Sequence, residues 1–315
     1  MTIDYRGGVS IGELCVYIPS LFVGIYLATR HGFGRNSGWV YLIIFCLARI
    51  IGPSLQLATI NYPTNTSLYI GSAILNNVAV SPLELAILGL LSTLLDNIHK
   101  TYNTFLSKRM LQFLQIVVIV GLILGIVGGV DAGNHFVQTT ARGGVFHPGS
   151  LNKAGSILLI ATYVAIVAFT ALISIFVSHA EAGTKRLFLA VALALPFLLV
   201  RLVYTGLSTF SYNPRFNILD GDTTIFLCVA LLMEFIIVII FEVTGLTLRR
   251  QVKEQHIEVA RQIDSSNSSE PIQPKKKSAG GIALNIAKKT IIGHLVMALV
   301  RSRGERDVEM QQPQR

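Results

Sequence analysis

Seven apolar runs, separated by short polar connectors, set the pattern of this chain: residues 11–29, 38–60, 68–95, 111–130, 155–178, 187–208 and 223–246. A helix rises about 1.5 Å per residue, so roughly 20 apolar residues cross the hydrocarbon of a bilayer. None of the runs alternates strictly between apolar and polar positions, as a barrel strand would. The pattern predicts an all-α, polytopic membrane protein: a seven-helix transmembrane bundle over residues 1–250. The third run exceeds the thickness of a bilayer and is expected to tilt, kink or project.

Polar residues inside the runs fall at helical spacing. Glu13, Tyr17, Ser20 and Gly24 form one stripe, and Arg49, Pro53 and Gln56 a second. Asn77, Ser81 and Glu84 form a third, and Arg201, Tyr204, Thr205 and Ser208 a fourth. Residues three, four and seven apart lie on one side of a helix, and lipid penalises such a side. The stripes should therefore converge on the bundle interior. Charge at the bilayer centre costs about 2.5–3.5 kcal/mol on insertion scales, so each ionisable residue there needs a partner or water. Arg49, Glu84, Arg201 and Glu234 stand nearest mid-span, two bases and two acids. Glu13, Asp96 and Glu242 lie closer to span ends and weigh less. The candidate ligand-contacting set is Arg49, Gln56, Asn77, Glu84, Arg201, Tyr204 and Glu234.

Arg49 precedes Glu84 much as Arg201 precedes Glu234, each Arg on an even-numbered run and each Glu on the next. This suggests a parallel repeat of three spans, a connector and three spans. The connector run carries Gly121, Gly125 and Gly129 at every fourth position. That strip admits close helix contact, and packing within the bundle is the preferred reading over dimerisation.

Composition agrees. Charged residues make up 14% of the 315, against about 25% in soluble domains, and mean hydropathy is +0.59. Arg30, Arg35, Lys100, Lys108, Arg109, Lys185 and Arg186 fall on one side of the predicted bundle, whereas Arg6, Arg142, Lys153 and Arg215 fall on the other. The positive side faces the cytoplasm, so the N-terminus is expected outside and the C-terminus inside. Residues 251–280 read as a disordered, Ser-rich and basic linker around Lys275–Lys277. Residues 281–303 read as an amphipathic helix on the membrane surface, and 304–315 as a disordered tail. The basic balance points to anionic lipid as a partner, not nucleic acid, with a cytoplasmic partner for the tail also open. The expected location is a plasma membrane or endomembrane.

Cys15, Cys46 and Cys228 lie within spans and are expected to be reduced packing residues. Asn65-Thr66-Ser67 is a glycosylation sequon in a short outer loop. His31, His99 and His179 sit at inner span ends near Asp96 and Glu181, but no HxxxH or HExxH spacing supports a metal site. No cofactor motif and no nucleophile–base pair is present, so an enzyme is not expected. The last span lacks the Schiff-base lysine of retinal proteins, and the DRY and NPxxY strings of rhodopsin-like receptors are missing.

"LARIIGPSLQ" and "LPFLLVRLVYTGLSTFS" resemble an uncharacterised fungal seven-pass membrane family, a domain of unknown function of the DUF7702 type. The layout is more loosely similar to fungal lipid-translocating-exporter-like proteins. Neither resemblance supplies a ligand residue. The intramembrane charges suggest a transporter or lipid translocator acting on an anionic or amphipathic small molecule. The alternative is a seven-helix receptor or sensor signalling through its inner loops and tail. A purely structural role, charges fixing helix register, is the third reading.

Overall fold

The computed structural model describes residues 4–31, 38–99, 107–140, 149–177, 182–211, 215 and 221–248. The linker, surface helix and tail expected after residue 250 lie outside the described residues, as does His179. Helices α1 (Tyr5–His31), α2 (Trp39–Asn61), α3 (Thr66–Val78), α4 (Val80–His99), α5 (Lys108–Thr140), α6 (Ser150–Val177) and α7 (Ala182–Phe210) follow in order. The last, α8 (Thr223–Thr247), contains a π-helical stretch, Phe226–Leu231. With α3 and α4 taken together, seven crossings are long and apolar enough to span a membrane. The described residues contain no strand.

Several helices outrun their apolar runs. Helix α1 begins at Tyr5 and α5 extends from Lys108 to Thr140, because polar residues at a membrane interface can stay helical while leaving the hydrocarbon. Asn65 accepts a hydrogen bond from the Ser67 N–H (3.2 Å) and caps α3, and Asp222 does the same for Thr224 (2.9 Å) at the start of α8.

The long third run is broken at Ala79. Pro82 has no N–H to offer the carbonyl four residues back, and its ring crowds that carbonyl, so a continuous helix is disfavoured there. The half after the break, α4, is the axis of the bundle. Its crossing is 94% buried over its most apolar window, against 22–50% for the other six. Helices α2, α5, α6 and α7 pack around it.

The glycine strip of α5 serves internal packing, as expected. A Cβ on Gly129 would lie 2.7 Å from Ile74 of α3, and one on the adjacent Gly128 would lie 2.4 Å from the Asn152 backbone of α6. Gly155 of α6 returns the contact, its Cβ position being 3.0 Å from the Gly121 carbonyl. All three cysteines are free thiols, Cys46 buried and the other two exposed along the spans.

Successive crossings alternate in direction, so the first and seventh, α1 and α8, run the same way. Their C-terminal ends are fastened together. Arg30 donates to the carbonyls of Leu246 (3.1 Å) and Leu248 (3.2 Å), and a His31 ring nitrogen lies 2.9 Å from the Gly245 carbonyl. These last-turn carbonyls have no intrahelical donors, and basic side chains also favour the negative end of the helix dipole. His31 stacks on Trp39, ring centroids 5.5 Å apart. Gly245 sits so close to this corner that a Cβ would be 2.5 Å from Trp39 and 2.9 Å from Leu27.

Candidate functional site: a buried charge network beside a cleft

Each polar stripe turns inward. On α1, Ser10, Glu13, Tyr17, Ser20 and Gly24 are all buried, while Ile18, Phe22 and Tyr26 are exposed on the outer face. Arg49 on α2 and Arg201 on α7 are among the largest fully buried side chains of the protein. Relative exposures of 0% for Arg49 and Glu234, 1% for Arg201 and 7% for Glu13 leave no room for solvation by bulk water. At this depth charge survives only if paired and hydrogen-bonded.

Glu234 of α8 pairs with both guanidiniums at once. Its Oε1 accepts from Arg201 Nε, and its Oε2 faces Arg49 Nη2. Asn76 bridges the same two arginines from the end of α3. Its Oδ1 accepts from Arg49 Nη1 (3.0 Å), and its backbone carbonyl accepts from Arg201 Nη2 (2.8 Å). The break at Ala79 makes this bridge possible, because the last carbonyls of a helix lack intrahelical donors. Arg201 Nη1 donates to Thr205 Oγ1 (2.7 Å), and its guanidinium lies 5.6 Å from the Tyr204 ring centroid, within cation–π range. The fourth charge is Glu13, whose Oε2 is 3.6 Å from Arg49 Nη1. Two bases and two acids meet, as expected, but one of the acids differs.

Glu84 is the acid that stands apart. It is fully buried on α4, and neither carboxyl oxygen has a hydrogen-bond partner among the described residues; nor does the Ser81 hydroxyl one turn away. Glu84 therefore does not join the other three mid-span charges. The symmetry of the proposed repeat fails at its chemistry, since both arginines go to the single acid of the seventh crossing. Asn77 also points elsewhere, donating to Asn152 Oδ1 of α6 (3.1 Å), and Gln56 accepts from Ser72 (3.3 Å). Of the seven candidates, Arg49, Arg201, Tyr204 and Glu234 come together, whereas Gln56, Asn77 and Glu84 lie outside the network.

Asn76 and Glu13 are what sequence reasoning missed. The stripe through Asn77, Ser81 and Glu84 presumes one unbroken helix, and Pro82 was the signal that it would break. Glu13 belonged to a recognised stripe but was given less weight for its place near a span end. Because α1 starts at Tyr5, Glu13 in fact lies two turns inside the helix.

Beside the network, α1 and α8 part. Away from the fastened corner, a cleft of about 530 Å³ runs between Asp4 with the first turns of α1, to Tyr17, and residues 227–235 of α8. Its walls are mostly apolar, with Leu231 and Phe235 on one side and Gly8 and Gly12 on the other, and it reaches Glu13 and Tyr17. A Cβ at Gly8 or Gly12 would meet nothing within 4 Å, so neither glycine is required by packing. The π-helical turn of α8 supplies Leu227 and Leu231 to the wall. Such turns interrupt helices at functional sites more often than elsewhere. The Tyr17 hydroxyl and Glu13 Oε2 are buried without hydrogen-bond partners. A narrow pocket of about 10 Å³ also touches Asn76 and Tyr204.

Of the histidines at the inner span ends, His31 is taken up by Gly245 and Trp39, whereas His179 and Glu181 lie outside the described residues; among the described residues no cluster of three metal-ligating side chains occurs. Asp96 pairs with Lys108.

The model of a domain of unknown function, DUF7702, matches residues 3–251. The chain belongs to the DUF7702 family. The match takes in all seven crossings, so the charge network and the cleft both fall inside the DUF7702 domain. No curated protein and no solved structure matches the chain.

Proposed function

We propose that this integral membrane protein is a transporter or translocator of an amphipathic small molecule, with the α1–α8 cleft as the substrate's path and the charge network as its floor. One observation carries the reading: the apolar cleft ends at Glu13, which is itself a member of the buried ion network. A molecule entering between α1 and α8 would place its apolar part along Leu231 and Phe235 and its polar end against that network. Cavities of roughly 300–1,000 Å³, mostly apolar with a few placed polar groups, are the usual form of small-molecule sites. With the N-terminus outside and the tail in the cytoplasm, the orientation that loop charge favours, the cleft would open in the outer half of the bundle.

Reconstituted vesicles test this with fluorescently labelled single-chain lipids and a membrane-impermeant quencher. Wild-type protein should speed exchange of the lipid between leaflets. Gly8→Leu/Gly12→Leu should return it to the protein-free rate, at least about ten-fold slower on the scale of one lost binding contact. Its melting midpoint should be unchanged or higher, since glycine inside a helix is about 1 kcal/mol less favourable than a good helix former. Wild-type exchange by the filled variant would overturn the proposal.

A second reading, a receptor or sensor, draws on the fastened corner. A ligand wedging α1 from α8 would act on the Arg30 and His31 bonds to the end of α8, directly before the tail begins. Removing residues 251–315 separates the two: lipid exchange persists under the first reading, whereas a response passed on by the tail is lost under the second.

A further inference from the structure

The geometry points to a lipophilic amine as the molecule the cleft selects, its ammonium group held by Glu13 and Tyr17. This inference rests on the proposed substrate path and adds the chemistry of the head group. It reverses the expectation, drawn from the two arginines, that the ligand is anionic.

The arginines are not available to an entering anion. Both are fully buried, and their charge is met by Glu234, which pairs with each of them, and by Glu13, 3.6 Å from Arg49. Neither lines the cleft. The ionisable groups that do line it as acids are Asp4, near the start of α1, and Glu13 at the inner end, and no lysine, arginine or histidine lines it. An anion would therefore meet like charge at Asp4 and again at Glu13, in a setting where apolar walls strengthen electrostatics.

The inner end also holds two oxygens without hydrogen-bond partners. Glu13 Oε2 and the Tyr17 hydroxyl are both buried without hydrogen-bond partners, at 7% and 2% exposure. Buried polar atoms left unpaired cost about 1–3 kcal/mol each. An ammonium carries three N–H donors and no acceptor, so it can donate to both oxygens at once, and its bond to the Glu13 carboxylate is charge-assisted. Tyr5, Tyr17 and Phe235 bring three aromatic rings to the same cleft, and ring faces attract cations. An alcohol has a single O–H donor and no charge. A lipid acyl chain could fill the walls but neither oxygen.

The experiment uses the full chain in lipid nanodiscs and three probes with one arylalkyl body: phenylbutylamine, phenylbutanol and phenylbutyrate. Binding is the excess of bound probe over that of Gly8→Leu/Gly12→Leu, which removes membrane partitioning from the signal. The amine should bind at least about ten-fold more tightly than the alcohol, with the carboxylate weakest. Glu13→Gln should remove the amine's advantage and leave the alcohol's affinity within about two-fold. Should Glu13→Gln fail to fold, the ranking of the three heads on wild-type protein still decides. Equal binding of all three, a preference for the carboxylate, or no binding above the filled variant would overturn the inference. Amine binding without lipid exchange would sink the transport reading alone. Exchange without an amine preference would sink the amine alone.

Discussion

Glu234→Gln should be the most damaging single conservative substitution in the membrane domain. Glutamine keeps the shape and an acceptor oxygen but removes the one negative charge that faces both Arg49 and Arg201. Two guanidiniums would then share Glu13 alone, and that acid is 3.6 Å from Arg49 and paired with nothing else. Removing one partner of a buried pair costs about 3–5 kcal/mol, because the remaining charge is stranded. Here two guanidiniums lose their common partner at once. The expected result is loss of most folded protein from detergent extracts, read by size-exclusion chromatography and thermal melting. Glu84→Gln is the internal control. Glu84 is equally buried but has no partner among the described residues, so its replacement should shift the melting midpoint little. Matching behaviour of the two variants would contradict the network.

A second large effect is a rescue that should fail. In a simple two-residue ion pair, reversing both charges restores the attraction. The pair Arg201–Glu234 is not simple, because the other oxygen of Glu234 faces Arg49. Arg201→Glu with Glu234→Arg would set a new guanidinium directly against Arg49 in a fully buried position. Like charges at that range repel by several kcal/mol even at the effective dielectric found in proteins. The double variant should be no more stable than the worse of its single parents. Adding Arg49→Glu and Glu13→Arg to it, which reverses all four charges of the network, should recover more folded protein than the double variant does. Full rescue by the double variant would mean that Arg49 lies outside the network.

How far the sequence reached can be traced residue by residue. The seven crossings were legible because hydrocarbon sets a length for apolar runs, and inward-facing stripes because lipid excludes polar side chains at helical spacing. Arg49, Arg201 and Glu234 followed from that logic alone. Partner choice did not. Which acid an arginine meets depends on helix rotation and depth, and the break at Ala79 changed both for the third crossing, trading Asn77 and Glu84 for Asn76. The cleft was invisible for a different reason. It arises where α1 and α8, far apart in sequence, stay fastened at one end and separate at the other. Its only trace in the chain is the pair Gly8 and Gly12, which reads like any small-residue spacing until the space beside them is seen to be open.

The claim that most of this depends on is that α1 stands away from α8 along its first turns, leaving a passage to Glu13. Thiol reactivity measures it directly. In protein with Cys15, Cys46 and Cys228 replaced by alanine, a cysteine is placed at Gly12, on the cleft wall, or at Phe22, which is 67% exposed on the outer face of α1. Both are treated in vesicles with a membrane-impermeant, positively charged methanethiosulfonate. The account expects the Gly12 cysteine to react at least about ten-fold faster than the Phe22 cysteine, since the reagent needs an aqueous thiolate and a path to reach it. Equal and slow reaction at the two positions would mean that lipid or closed packing fills the space between α1 and α8, and would contradict the account.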